Sequence, residues 1–250
     1  MGYHRIRLRN EKKYFISTTS QSIISERLKY TMKSDQHTDE NREYTITSLY
    51  FDDMYETSYQ QKLAGIKKRY KYRVRIYNHD VSKINFEKKI KIGEHVGKFS
   101  CPMTIDEYRA LFTGENLHIL LDSPYSLLHE AFVEVRTKRL SPRVVVEYDR
   151  EVLISDAGNV RVTFDKRLRA GIDHLNIIKP TENLVSVIQE DKTIMEVKFD
   201  DFLPSHIREL IHVNDREYLS ISKYVLCVDA MNLYGGNFCD AKHTIIPRHF

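Results

Sequence analysis

Two arginines and a mixed row of acids and lysines carry the most chemistry in this 250-residue chain. In YKYRVRIY, Arg73 and Arg75 stand two apart, and in INFEKKIKI so do Glu87, Lys89 and Lys91. Side chains alternate on an extended backbone, so each set shares a face, while Val74, Ile76, Phe86 and Ile90 mainly take the other. Two such strands alone would ordinarily turn their charges to water. The pattern recurs, however: Glu11 with Lys13, Arg150, Arg161, and Glu196 with Lys198 fall in step in other segments. Planar guanidinium forks match phosphate oxygens, and compact ammonium groups follow charge on a moving phosphoryl group. Carboxylates among those cations suit Mg²⁺ or Mn²⁺, which shares its remaining positions with substrate phosphates and water.

The elements that must position these residues follow from periodicity. Strands are expected at Arg5–Ser17, Tyr44–Asp53, through the central hairpin, at Arg143–Leu153 and Val160–Leu168 on either side of a DAGN turn, and at Ile194–Asp200. Residues 18–35 place Ile24, Leu28 and Met32 at helical spacing, and a polar linker, HTDENRE, follows. Thr104 and Glu107 form a capping box, with Gly114 as the stop. Ser123 is the expected N-cap of the next helix, with Pro124 at N1. LPSHIRELIH, starting near Pro204, and NDREYLSISKYVLCVDAM read as two more helices.

With 41% hydrophobic and 30% charged residues the chain can bury a core and is not a disordered type. A net charge of +4 suits an anionic ligand without demanding one. If helices cover the apolar faces, the charged rows point into a barrel. Unpaired buried charges are costly, so that interior needs water and a polyanion. The expected architecture is α+β: a single domain over residues 1–250, built as an antiparallel β-barrel of about eight strands that forms a charged tunnel, with helices packed outside.

Glu11-Lys12-Lys13-Tyr14, TSLYFD, YKYRVRIY, FEKKIK, VEYDR, VRVTFD, MEVKF and SKY (Ser222–Tyr224), in that order, resemble the VTC (vacuolar transporter chaperone) domain of the triphosphate tunnel metalloenzyme, CYTH-like superfamily. The resemblance implies a metal-dependent polyphosphate polymerase that moves the terminal phosphoryl group of ATP onto a growing chain and releases ADP, with Mn²⁺ or Mg²⁺ as cofactor. It implies catalytic roles for Lys13, Arg73, Arg75, Lys89, Arg150 and Arg161, substrate contacts for Lys98 and Lys223, and metal binding for Glu196. Strand parity adds Tyr148, Lys198 and Glu87 as substrate-binding residues. The family can carry a second basic residue three before the SKY lysine, where this chain has Ser220. A triphosphate or nucleoside-triphosphate hydrolase and a non-catalytic polyphosphate-binding module are the alternatives.

Other motifs lead nowhere. GEHVGKF has the wrong spacing for a P-loop and lacks Ser or Thr after Lys98. The 11 histidines show no paired-ligand spacing, and Cys101, Cys227 and Cys239 show no CxxC. KKRYKYR interleaves aromatics with cations as single-strand binders do, but its alternation gathers the cations on one face, so no nucleic-acid partner is expected. The expected partners are ATP and polyphosphate. No stretch approaches the ~18 apolar residues of a span, so a cytoplasmic setting, at most peripheral to a separate membrane partner, is expected. Neither a nucleophilic side chain nor a strong base is needed, because a terminal phosphate acceptor is already anionic.

Overall fold

The computed structural model describes residues 6–35, 43–171, 175–178 and 184–234. Its strands are β1 (Arg9–Ser17), β2 (Lys33–Ser34), β3 (Glu43–Asp52), β4 (Lys68–Tyr77), β5 (Asp80–Ile92), β6 (His95–Met103), β7 (Ser141–Ser155), β8 (Val160–Gly171), β9 (Leu184–Ser186), β10 (Lys192–Phe199) and β11 (Glu217–Tyr218). Its helices are α1 (Thr18–Lys29), α2 (Thr57–Leu63), α3 (Ile105–Thr113), α4 (Ser126–Lys138), α5 (Ser205–Leu210) and α6 (Lys223–Tyr234).

The long strands pair antiparallel in the order β7, β3, β4, β5, β6, β1, β10, β8, and β8 pairs back with β7. A ring of eight strands results. Closure is narrowest between β6 and β1, where only Arg9 with Val96 and Asn10 with His95 are in register. Because the ring closes, its two faces become an inside and an outside, and the strand period sends the charged rows inward.

Apolar packing outside fixes that choice. Val74, Ile76, Phe86 and Met103 meet Tyr108 and Leu111 of α3 and Leu128 of α4, with Phe86 stacked on Tyr72 at 5.7 Å. On the β1, β10 and β8 side, Ile16, Val197 and Phe164 meet Ile24 and Leu28 of α1 and Ile207 of α5. Each such fully buried side chain contributes ~1.5–3 kcal/mol, so turning the strands over would expose both clusters. α6 differs in where it sits. Its Tyr224, Cys227 and Val228 cluster with Val144 and Val146, which share strand parity with Tyr148 and Arg150, so α6 covers one end of the ring.

The capping box forms as expected: Thr104 accepts from the Glu107 backbone, Glu107 from the Thr104 backbone, and Gly114 ends α3 in the left-handed region at φ 78°. Two expectations fail. Ser123 does not cap α4; the chain bends through residues 122–124, the extended Tyr125 is the N-cap, and the Ser123 carbonyl instead meets His129 Nε2 at 2.8 Å. Residues 214–222 are not helical, because Glu217 and Tyr218 pair with Phe15 and Tyr14 of β1, and the helix begins only at Lys223. Sheet pairing with a free strand edge there outweighs local propensity. α2 arises in SYQQKL, a segment expected only to lead into the hairpin. Most of the HTDENRE linker, Arg5 and Cys239 lie outside the described residues.

Candidate functional site

The ring encloses a chamber of about 850 Å³. Twelve Arg or Lys residues line it against three acids, Asp35, Asp80 and Glu196. Three clusters hold most of those cations in place.

The first lies on β3, β4, β5 and β6. Arg73 donates through Nε to Glu87 at 2.6 Å and through a terminal nitrogen to the Tyr50 hydroxyl at 2.8 Å. Arg75 reaches Ser48 Oγ at 3.1 Å and the Tyr148 hydroxyl at 3.2 Å. Glu87 also accepts from Lys98 at 2.6 Å. Burial would discourage ionisation of Glu87, but Arg73, Arg75 and Lys98 hold it well below the usual carboxylate range. It is a fixed anion 1% exposed beneath the guanidinium groups, and it does not line the chamber.

The second spans β1, β10 and β5. Register sets Lys13 opposite Glu196 and Glu11 opposite Lys198, so both carboxylates face inward on neighbouring strands. Glu11 accepts from Lys89 at 2.8 Å, Lys198 meets Glu196 at 2.6 Å, and Lys13 lies 3.3 Å from Glu11 and 3.4 Å from Glu196. Burial and the neighbouring Glu196 oppose ionisation of Glu11, yet Lys13, Lys89 and Lys198 overrule them and keep it charged. Two ionised carboxylates fit Mg²⁺ or Mn²⁺ of the kind that keeps one or two protein ligands and completes its shell with phosphate oxygens. Among the described residues no group of three or more His, Cys, Asp or Glu could hold a metal without such help.

The third joins β7, β8 and α6. Arg150 grips Asp165 bidentately, at 2.6 and 2.8 Å, and Lys223 at the start of α6 pairs with the same carboxylate. Asp165 has no exposed surface. The Tyr148 ring carries Arg150 at 5.1 Å and Lys223 at 4.9 Å from its centroid. At the rim Arg161 bonds Asp35 at 2.9 Å and the Tyr44 hydroxyl at 3.3 Å.

Arg9, Lys71 and Lys83 are the chamber cations that sequence reasoning passed over, and Lys71 is the one among them that contacts the Tyr50 ring. It shares parity with Arg73 and Arg75, which was the available signal, but a lone lysine at a strand start resembles ordinary solvent-facing patterning. Its ammonium sits 4.9 Å from the Tyr50 ring centroid and 5.2 Å from that of Tyr224, and among the described residues it makes no ion pair. Burial pulls it down to about 8, with Lys13 and Arg73 adding to the effect against Tyr50. Tyr50 responds in kind: burial would raise its phenol, but Arg73, Lys71 and Arg75 bring it to about 7. Lys62 of α2 is likewise lowered to about 8, by burial and by Arg69, Lys13 and Lys91.

These shifts fix the sign of a pH effect. Between pH 7 and 9 the folded protein releases protons from Tyr50, Lys71 and Lys62 that the unfolded chain still holds. The unfolded state then binds more protons, so stability rises with pH. Above about pH 9 the buried thiol of Cys101, pushed up to about 12, works in the opposite direction. In anion-free buffer the melting temperature should be higher at pH 9 than at pH 7, and a flat or falling curve would contradict this electrostatic reading.

Of the residues singled out from sequence, Lys13, Arg73, Arg75, Lys89, Lys98, Tyr148, Arg150, Arg161, Glu196, Lys198 and Lys223 all line the one chamber. Glu87 is the exception: it is absent from the chamber lining and lies behind Arg73 and Lys98, which it holds. Sequence reasoning also missed Asp165, which stands in the same strand row as Arg161, and gave no role to Tyr50, an aromatic outside the charged rows. Taken together, the arrangement can hold a multiply charged phosphate chain and a divalent ion away from bulk water. Among the described residues no cysteine faces it with an activated thiol; Cys101 and Cys227 are buried, and burial raises both.

The model of the VTC domain family matches residues 8–232. No curated protein matches the chain by sequence. Among solved structures, HpAC1 from Hippeastrum, described as an adenylyl cyclase candidate with a dominant triphosphatase activity, superposes with TM-score 0.53 at 12% identity over 89% of this chain and 95% of that one. PH1819 from Pyrococcus horikoshii OT3 gives TM-score 0.44 at 12% identity over 89% of this chain and 99% of that one. Among the described residues no helix is long and apolar enough to cross a membrane.

Proposed function

Because this chain belongs to the VTC domain family, whose model covers residues 8–232, we propose that it is a metal-dependent polyphosphate polymerase that uses ATP as donor and releases ADP. We read residues 1–250 as one such domain. One observation carries the proposal: a closed strand ring whose chamber sets twelve cations against three acids, with Glu196 in its lining and Glu11 close by on the neighbouring strand, both paired to Lys13.

In this reading Arg73 and Arg75 clamp phosphate oxygens from one side. Glu87, Tyr50, Ser48 and Tyr148 fix their planes, so little freedom is lost on binding. Arg150 and Lys223, held by Asp165, face them from β7 and α6. Lys13, Lys89 and Lys198, now turned to Glu11 and Glu196, exchange carboxylate for phosphate oxygens as charge shifts from the donor to the acceptor. Mn²⁺ or Mg²⁺ held by Glu196 and Glu11 would neutralise charge on the transferring group. The acceptor is the terminal phosphate of the chain, whose oxygen forms the new P–O bond as the bond to ADP breaks.

Purified protein given ATP and Mn²⁺ should make long phosphate polymer, visible on a gel, with one ADP released per unit added. Orthophosphate as the sole phosphate product would instead identify a hydrolase. Tight polymer binding without loss of ATP would identify a binding module.

A further inference from the structure

A second cavity, of about 130 Å³, opens at the end of the ring where α2 and residues 218–222 come together. Six cations line it, Lys13, Lys62, Arg69, Lys71, Lys89 and Lys91, against one acid, Glu11. Glu11 is already engaged by Lys13 and Lys89. Among the described residues Lys62, Lys71 and Lys91 make no ion pair. Lys13, Lys71, Lys89 and Ser222 line both this cavity and the main chamber, so the two meet inside the ring.

Lys62 is the distinctive member. Its ammonium donates to the Ser220 carbonyl at 2.7 Å and to the Ser220 hydroxyl at 2.6 Å. That leaves one of its three donors for a ligand. Ser220 lies on the approach to α6, so these two bonds hold a lysine of α2 at the mouth of the cavity. α2 is not a loose carrier: Asp52 accepts from the Ser58 and Tyr59 backbones and from the Tyr224 hydroxyl, tying α2 to β3 and α6. The lowered protonation of Lys62 among like charges is what a cation awaiting an anion should show.

We propose that this cavity is a second anion site, which grips an internal stretch of linear polyphosphate beyond the reacting end, with Lys62 as its determining cation. The inference rests on the polyphosphate reading above. Size and charge together favour a narrow phosphoryl chain over a nucleoside: 130 Å³ is small beside the ~300 Å³ at which pockets begin to bury a drug-sized molecule, and six cations face one acid. Contact with two joined sites makes the longer ligand bind more tightly than its terminal units alone.

The test is binding of inorganic tripolyphosphate and of linear polyphosphate averaging about 60 units, a length ample for two linked sites, by the full chain and by Lys62→Met and Lys91→Met. Each variant should lose about tenfold in affinity for the long chain, as expected for one or two charge-assisted hydrogen bonds, with tripolyphosphate affinity changed by less than about twofold. Lys62→Arg should restore the long-chain preference. Melting temperatures identify any variant that fails to fold; Lys62→Gln then replaces it. Equal losses for both ligands, or none for either, overturn the second site while leaving the polymerase reading intact. Unaltered protein that binds neither ligand overturns both.

Discussion

Glu196→Gln is expected to reduce metal-dependent ATP turnover by roughly 100-fold, the upper end of the ~10–100-fold that loss of an outer-shell partner of a bound metal produces. The substitution keeps side-chain shape and removes one of the two inward carboxylates. Folding should survive it, because Lys13 and Lys198 retain Glu11 at 3.3 and 3.7 Å. Glu11→Gln should behave alike, since the register places the two acids on the same wall, each opposite a lysine. Turnover of ATP in Mn²⁺, measured beside the melting temperature, checks this. Wild-type turnover in a well-folded Glu196→Gln protein would remove the metal from this wall.

Asp165→Asn should cost stability more than activity assays alone would reveal. Asp165 is wholly buried and takes both nitrogens of Arg150 together with the Lys223 ammonium. Burial opposes its ionisation, but Arg150 and Lys223 hold the carboxyl below its ordinary range. Neutralising it leaves two enclosed cations without a counter-charge, a loss of ~3–5 kcal/mol for a broken buried pair. For a chain of this size that corresponds to roughly 6–20 °C in melting temperature. Tripolyphosphate should close part of the gap, because its oxygens can take the place of the missing carboxylate. A shift under about 2 °C, below what one kcal/mol produces, would mean that Asp165 does not hold the cluster.

These two acids divide the site by legibility. Glu196 lies two before Lys198 and repeats the pattern of Glu11 before Lys13, so strand period alone marked it. Asp165 has the same spacing to Arg167, but Arg167 stands in the left-handed region at φ 49° and turns to Asp149 and Glu43; the cations of Asp165 come instead from β7, fifteen residues earlier, and from α6. Lys71 was visible in parity but not in meaning, since a lysine at a strand start ordinarily faces water. For Glu87, parity gave its face but not its depth beneath Arg73.

What the sequence determined by itself is what short-range periodicity encodes. Alternation at two residues marked the strands and the charged rows, and spacing at three and four marked α1 and the Thr104–Glu107 capping box of α3. Closure was decided by tertiary structure, through the return of β8 to β7 and the two-pair seam between β6 and β1. So was the extended course of residues 214–222, which a neighbouring strand edge draws out of the helix. Only closure turns the same alternation into an inside and an outside. The burial of Phe86, Val197 and their neighbours under helices then selects which row becomes the lining, because exposing those clusters would cost more than gathering like charges around water and a polyanion.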